Sequence, residues 1–134
     1  MPMSERRPNR HVRTCYDHLA GVVAVALTDA LVEHGHIVQS DRDFELTPRG
    51  DAFLKSIGVD VNGARESKRL FARTCLDLTE RRPHIAGALG AALLARAFEF
   101  GWVERTTGRS LALTDKGQRE MSGRLGLTLP NTTN

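Results

Sequence analysis

No stretch of this sequence is apolar for long enough to cross a bilayer. The longest uninterrupted runs, Leu19 to Leu27 and Ile85 to Ala95, fall well short of the roughly 20 residues a spanning helix needs. No secretory signal precedes them, so the expected location is the cytoplasm and no membrane partner is expected. Cysteine is scarce, with two in 134 residues. That excludes a disulfide scaffold, and buried thiols are the ordinary expectation. Several catalytic signatures are missing as well: a glycine-rich phosphate loop, a nucleophile elbow, a paired His-Glu zinc motif and a convincing carboxylate pair. Enzymatic activity is therefore not expected, and no cofactor is required by the sequence.

Net charge is small as well. A net charge of +3 is only mildly basic, and much of the excess sits in the Ser-Glu-Arg-Arg-Pro-Asn-Arg stretch with Arg13 close behind. Such a tail can touch nucleic acid, although a solvated tail is the commoner case. Length and composition suit one compact domain, or two halves sharing one core.

What the chain has in quantity is itself. His18 to Ile37 aligns without a gap on His84 to Val103, and His, Ala, Gly, Ala, Leu, Glu and Gly recur in register. Each copy is preceded by Arg-Thr-Cys-x-Asp, at Arg13 to Asp17 and Arg73 to Asp77. Each is followed by Leu-Thr-x-[Arg/Lys]-Gly, at Leu46 to Gly50 and Leu113 to Gly117. The second copy carries extra residues, Leu78 to Pro83. A repeat of this length marks a duplicated structural unit, whose function lies in the unit or at the seam between copies.

Within the unit, a helical pattern ends at Glu-x-Gly and a short apolar strand follows. A polar turn and a second strand then lead to a helix capped by Thr47 or Thr114. Helix, strand, hairpin, strand, helix is the back half of a winged helix. The fold expected is mostly α with two small β-hairpins, an α+β class built from a duplicated winged-helix-like unit. Residues 1–10 are expected to form a flexible basic tail, 11–58 the first repeat and 64–129 the second, the two repeats sharing one core.

Steps of three and four among Val12, Cys15, Leu19, Val22, Val23, Ala26, Leu27, Ala30 and Leu31 predict one long helix from His11 to about Glu33. Helices are also expected over Pro48 to Ile57, Ala64 to Arg82, His84 to Phe100 and Asp115 to about Leu125. On this reading the first copy fuses into one helix what the second splits at Pro83.

A winged helix reads DNA with the helix before the wing, which needs donors on its surface. His18 to His34 has no lysine or arginine, and His84 to Phe100 has only Arg96. Arg105, Arg109 and Lys116 remain as wing-side DNA-contact candidates. The apolar helices have three readings open: a shared core, a homodimer interface, or a small-molecule effector pocket lined by Trp102 and the phenylalanines.

His11, Cys15 and His18 fall at i, i+4 and i+7 of the expected helix, on one side. Cys75 and His84 are the repeat partners of Cys15 and His18. Two thiolates plus imidazole suit a soft or borderline cation such as Zn(II) or Cu(I), so a divalent metal is one candidate ligand. Opposing this, the insertion after Asp77 gives the second pair a different geometry, and Cys15 sits on the apolar stripe as a small hydrophobe. A redox pair is the other option, with Arg13 and Arg73 lowering the thiol pKa values. Those arginines stand four residues before Asp17 and Asp77, however, so an intrahelical ion pair accounts for them.

Arg13 to Gly21, Cys75 to Gly87 and the Gly-Trp-Val wing closed by Leu-Thr together resemble the C-terminal region of a bacterial subgroup of ArsR-type winged-helix transcriptional regulators. The resemblance covers roughly His11 to Pro130, with Leu78 at a position where a tryptophan is expected. In that family an N-terminal winged helix binds operator DNA and dimerises, and only about ten residues precede the resemblance here. The resemblance implies a regulatory, effector-sensing or dimerising domain that meets DNA weakly or through a missing or separate domain. Two alternatives are a stand-alone DNA-binding regulator and a metal or thiol sensor. The metal-sensing cysteine sites of the family belong largely to other subgroups and are not transferred.

Overall fold

A computed structural model describes residues 12–15, 17–68, 70–77 and 80–127. The basic tail, His11 and Leu78 lie outside the described residues. In chain order the elements are β1 (Arg13–Cys15), β2 (His18–Ala20), α1 (Val22–Glu33), β3 (Ile37–Gln39), β4 (Phe44–Leu46), α2 (Pro48–Ser56), α3 (Val61–Glu66), β5 (Thr74–Leu76), β6 (Pro83–Ile85), α4 (Gly87–Glu99), β7 (Val103–Arg105), β8 (Leu111–Leu113) and α5 (Asp115–Leu125). The class is α+β. Four two-stranded antiparallel sheets are present among the described residues, rather than the two hairpins expected.

The additional hairpins replace helix. The long helix expected from His11 begins only at Val22, because Arg13 to Ala20 forms the β1–β2 hairpin. The helix expected over Ala64 to Arg82 stops at Glu66, and β5–β6 follows. Both copies thus run hairpin, helix, hairpin, helix, and neither fuses what the other splits. Gly21 and Gly87 turn the chain from hairpin into helix at φ 92° and 75°, a left-handed region that strains any residue with a Cβ.

The recurring Leu-Thr-x-[Arg/Lys]-Gly block has a local physical cause. The hydroxyl of Thr47 caps α2 by accepting the Gly50 N–H at 2.9 Å, and lies 2.7 Å from the Gly35 carbonyl oxygen. Thr114 does the same for α5 with the Gly117 N–H at 2.9 Å and the Gly101 carbonyl at 2.6 Å. A Cβ on Gly50 would stand 2.0 Å from the His36 carbonyl oxygen, and one on Gly117 2.2 Å from that of Trp102. Threonine therefore ties each helix start to the preceding helix end, and glycine makes room for the tie.

One cluster of buried apolar residues draws on both copies, among them Val23, Leu31, Ile37 and Leu54 with Leu89, Leu94, Val103 and Met121. Each fully buried leucine in it contributes about 1.5–3 kcal/mol. The two apolar helices pack crosswise: α1 against β6 of the second copy, and α4 against β2 of the first. Among the described residues, no helix is long and apolar enough to cross a membrane.

Candidate ligand site at the seam of the two copies

Antiparallel pairing decides where the cysteines and histidines go. Cys15 is the register partner of His18 at the end of β1–β2, and Cys75 is the partner of His84 in β5–β6. Residues directly opposite across an antiparallel pair share one face. The second copy has six more residues than the first between its cysteine and its histidine, yet the register is the same, so the two pairs have equivalent geometry. That corrects both the helical i, i+4, i+7 arrangement and the expected mismatch.

The hairpins meet at their cysteine ends. One ligand atom from each of Cys15, His18, Cys75 and His84 lies within 4.8 Å of all the others. Both imidazoles are buried and both cysteines half-buried. The Nε2 atoms of His18 and His84 face each other at 3.1 Å. Nδ1 of His84 donates to Oδ2 of Asp77 at 3.1 Å, while Nδ1 of His18 lies 3.6 Å from Oδ1 of Asp17.

Asp77 is fully buried and spans the copies. Its carboxylate accepts the Gly21 N–H of the first copy and the Glu80 N–H of its own, and stands 3.7 Å from the Arg13 guanidinium. The expected intrahelical pairing is thereby corrected: Arg13 reaches across the seam to Asp77. Asp77 is the site residue that sequence reasoning placed in the wrong role. Its recurrence two positions after each cysteine was the available signal.

The electrostatics disfavour a reactive thiol. Burial, then neighbouring Cys15, push the Cys75 thiol up to about 11, outweighing the opposite pull of Arg73. A thiol that stays protonated is a poor nucleophile. Burial, then His18, hold His84 down at about 4, so its imidazole is neutral at neutral pH.

Other candidates lie elsewhere. Trp102 is buried, donates from Nε1 to Oε1 of Glu120 at 2.8 Å and packs tilted on Phe100. The Arg105 guanidinium lies over the Phe98 ring at 4.7 Å, and Arg109 and Lys116 are exposed. Just over half of the residues of α1 and of α4 are buried against the rest of the chain. A shallow groove of about 380 Å³ between α3 and α4 is lined mainly by small residues such as Gly63, Ala64, Ala88 and Ala92.

A wiring pattern surrounds the seam. In the first copy, the Thr14 N–H donates to the Arg109 carbonyl at 2.9 Å, and the Leu111 N–H donates to the Val12 carbonyl at 3.2 Å. In the second, the Thr74 N–H donates to the Arg42 carbonyl and the Phe44 N–H to the Ala72 carbonyl, both at 2.8 Å. Each cysteine strand is thus bonded to the β3–β4 or β7–β8 hairpin of the opposite copy.

No protein-family model matches this chain, and no solved structure matches it. Over 115 residues it is 44% identical to a Bacillus subtilis (strain 168) protein named as the uncharacterized HTH-type transcriptional regulator YdfF. The match takes in 85% of this chain and 51% of that protein, so the chain spans about half the length of the relative it matches.

Proposed function

We propose that this chain is the effector-binding regulatory part of an HTH-type transcriptional regulator, with the seam between its copies as the effector site. The observation that carries the reading is the reciprocal wiring. Each strand that brings a cysteine to the seam is bonded to the hairpin of the other copy, so an occupant of the seam acts on both hairpins at once. The likeness to a protein named as a transcriptional regulator supports the same assignment. Residues 11–58 and 64–129 are two copies of a winged-helix-derived unit whose wings clasp the opposite copy. An effector works here only by binding two arrangements of the copies with different affinity.

Sequence-selective DNA reading on this view belongs to a separate domain of the ArsR type. The chain alone should enrich no sequence from a random duplex pool, whereas a salt-resistant, selective complex that Arg105→Ala and Arg109→Ala abolish would make it a DNA reader in its own right. The regulatory role is tested in the cell. Replacing Cys15 and Cys75 by serine at the chromosomal locus should change the transcript level of a small gene set, and an unchanged transcriptome sinks the reading.

A further inference from the structure

We infer that the seam is a tetrahedral metal site for Zn(II), with Cys15 and Cys75 as thiolate ligands and His18 and His84 as Nε2 ligands. The inference rests on the seam being the effector site, and names the occupant's chemistry.

Distances come first. Zinc bonds of about 2.3 Å to sulfur and 2.0–2.1 Å to nitrogen give tetrahedral edges of about 3.3 Å between nitrogens and 3.8 Å between sulfurs. The two Nε2 atoms already stand 3.1 Å apart, and no pair of ligand atoms exceeds 4.8 Å. Closing on an ion asks each side chain to move by about 1 Å or less.

The surroundings agree. Asp77 holds the His84 proton on Nδ1, which leaves the Nε2 lone pair directed at the seam. A carboxylate behind a histidine is the usual second shell of a metal ligand, fixing tautomer and ring orientation. His18 then moves its proton from Nε2 to Nδ1, on the Asp17 side, when Nε2 takes the ion. The two thiols give their protons to solvent. Two thiolates and two neutral imidazoles make an uncharged centre with Zn(II), which suits a buried position. Two sulfurs with two nitrogens in a tetrahedron are diagnostic of zinc rather than of magnesium or calcium.

Size separates an ion from an organic effector. The crevice beside the seam, between Leu19, Leu27, Ile85 and Leu93, has a volume of about 10 Å³. A pocket for an organic ligand needs about 300 Å³ or more.

The test uses the purified chain stripped of metal. Titration with zinc should give one ion per chain, and calorimetry in buffers of different ionisation enthalpy should register two protons released. X-ray absorption of the zinc-loaded wild type should give two sulfur and two nitrogen neighbours. An oxygen-rich shell, a single sulfur, or a Cys15–Cys75 disulfide with no zinc uptake overturns the assignment. Cobalt supplies the variant readout: Cys75→Ser should lose about half of the thiolate-to-cobalt absorption, and Cys15→Ser with Cys75→Ser all of it, while circular dichroism stays wild type, and an unchanged cobalt spectrum also overturns it. Zinc binding without the transcript change would retire the regulatory reading and keep the metal site. A transcript change in a chain that takes no zinc would do the reverse.

Discussion

His18 and His84, 66 positions apart in the chain, meet edge to edge with their Nε2 atoms 3.1 Å apart. Burial and, after it, that contact shape how the metal-free protein responds to acid. Burial, then His18, hold His84 at about 4, against an ordinary 6.5 in the unfolded chain. Between those values the unfolded chain binds a proton that the native chain refuses, so stability falls as pH is lowered from about 6.5 towards 4. The loss from this residue is about 3 kcal/mol at most. His36, depressed by burial and then by Arg49 and His34, adds slope of the same sign. Urea midpoints measured from pH 7 to 4.5 should decline steadily, and a flat series would contradict a His84 held uncharged by burial and by His18.

Asp77 should be the most sensitive carboxylate in the chain. Asp77→Ala strands the Gly21 and Glu80 N–H groups and leaves His84 unheld, at a cost of about 3 kcal/mol. Asp77→Asn keeps one accepting oxygen but turns an NH2 donor toward the donors on the other side, so it should keep only part of the stability, and it should weaken zinc binding by about 10–100-fold, because a neutral amide makes the imidazole less basic. Asp17→Asn, at the half-exposed repeat equivalent, should cost far less in denaturation. Equal losses at Asp17 and Asp77 would mean that Asp77 has no special place at the seam.

The repeat, the Thr-capped helices and the β7–β8 hairpin were legible because each carries a local signal: a capping threonine, a close-approach glycine, a polar turn. The β1–β2 and β5–β6 hairpins were not. Val12, Cys15 and Leu19 are spaced by three and four, which mimics a helical stripe although Cys15 and Leu19 lie on the paired strands β1 and β2. The discriminating clue lay in comparing the copies. Six residues inserted between a cysteine and its histidine rotate a helix by more than a full turn, but merely lengthen a hairpin loop. The four-residue site went unassembled for the same reason, since its geometry depends on strand register. Asp77 was read as a partner of Arg73 because the contact it makes to Arg13 crosses the seam.

Glycine substitutions separate packing from propensity. Gly50→Ala and Gly117→Ala drive a methyl group into a backbone carbonyl, at 2.0 and 2.2 Å, which a rigid neighbour cannot relieve. Each should cost more than about 2 kcal/mol and lower the melting temperature by several degrees. Gly123, inside α5, has nothing within 4 Å of its Cβ position. Gly123→Ala should stabilise by about 0.5–1 kcal/mol through helix propensity alone. Thermal unfolding of the three variants tests both signs, and a neutral Gly50→Ala would mean that Thr47 does not hold α2 against the end of α1.

Metal loading should be felt at the hairpins beyond the site. The Phe44 and Leu111 amides donate to Ala72 and Val12, the residues that lead into the two cysteine strands. Fixing those strands with an ion removes the local openings through which these amides exchange with solvent. Hydrogen exchange followed by mass spectrometry, with and without zinc, should therefore show slower exchange at Phe44 and Leu111, while Leu54 in α2 and Met121 in α5 change little. Slowing confined to the two cysteine hairpins would uncouple the seam from the wings, and the ion would then be a structural clasp rather than a signal.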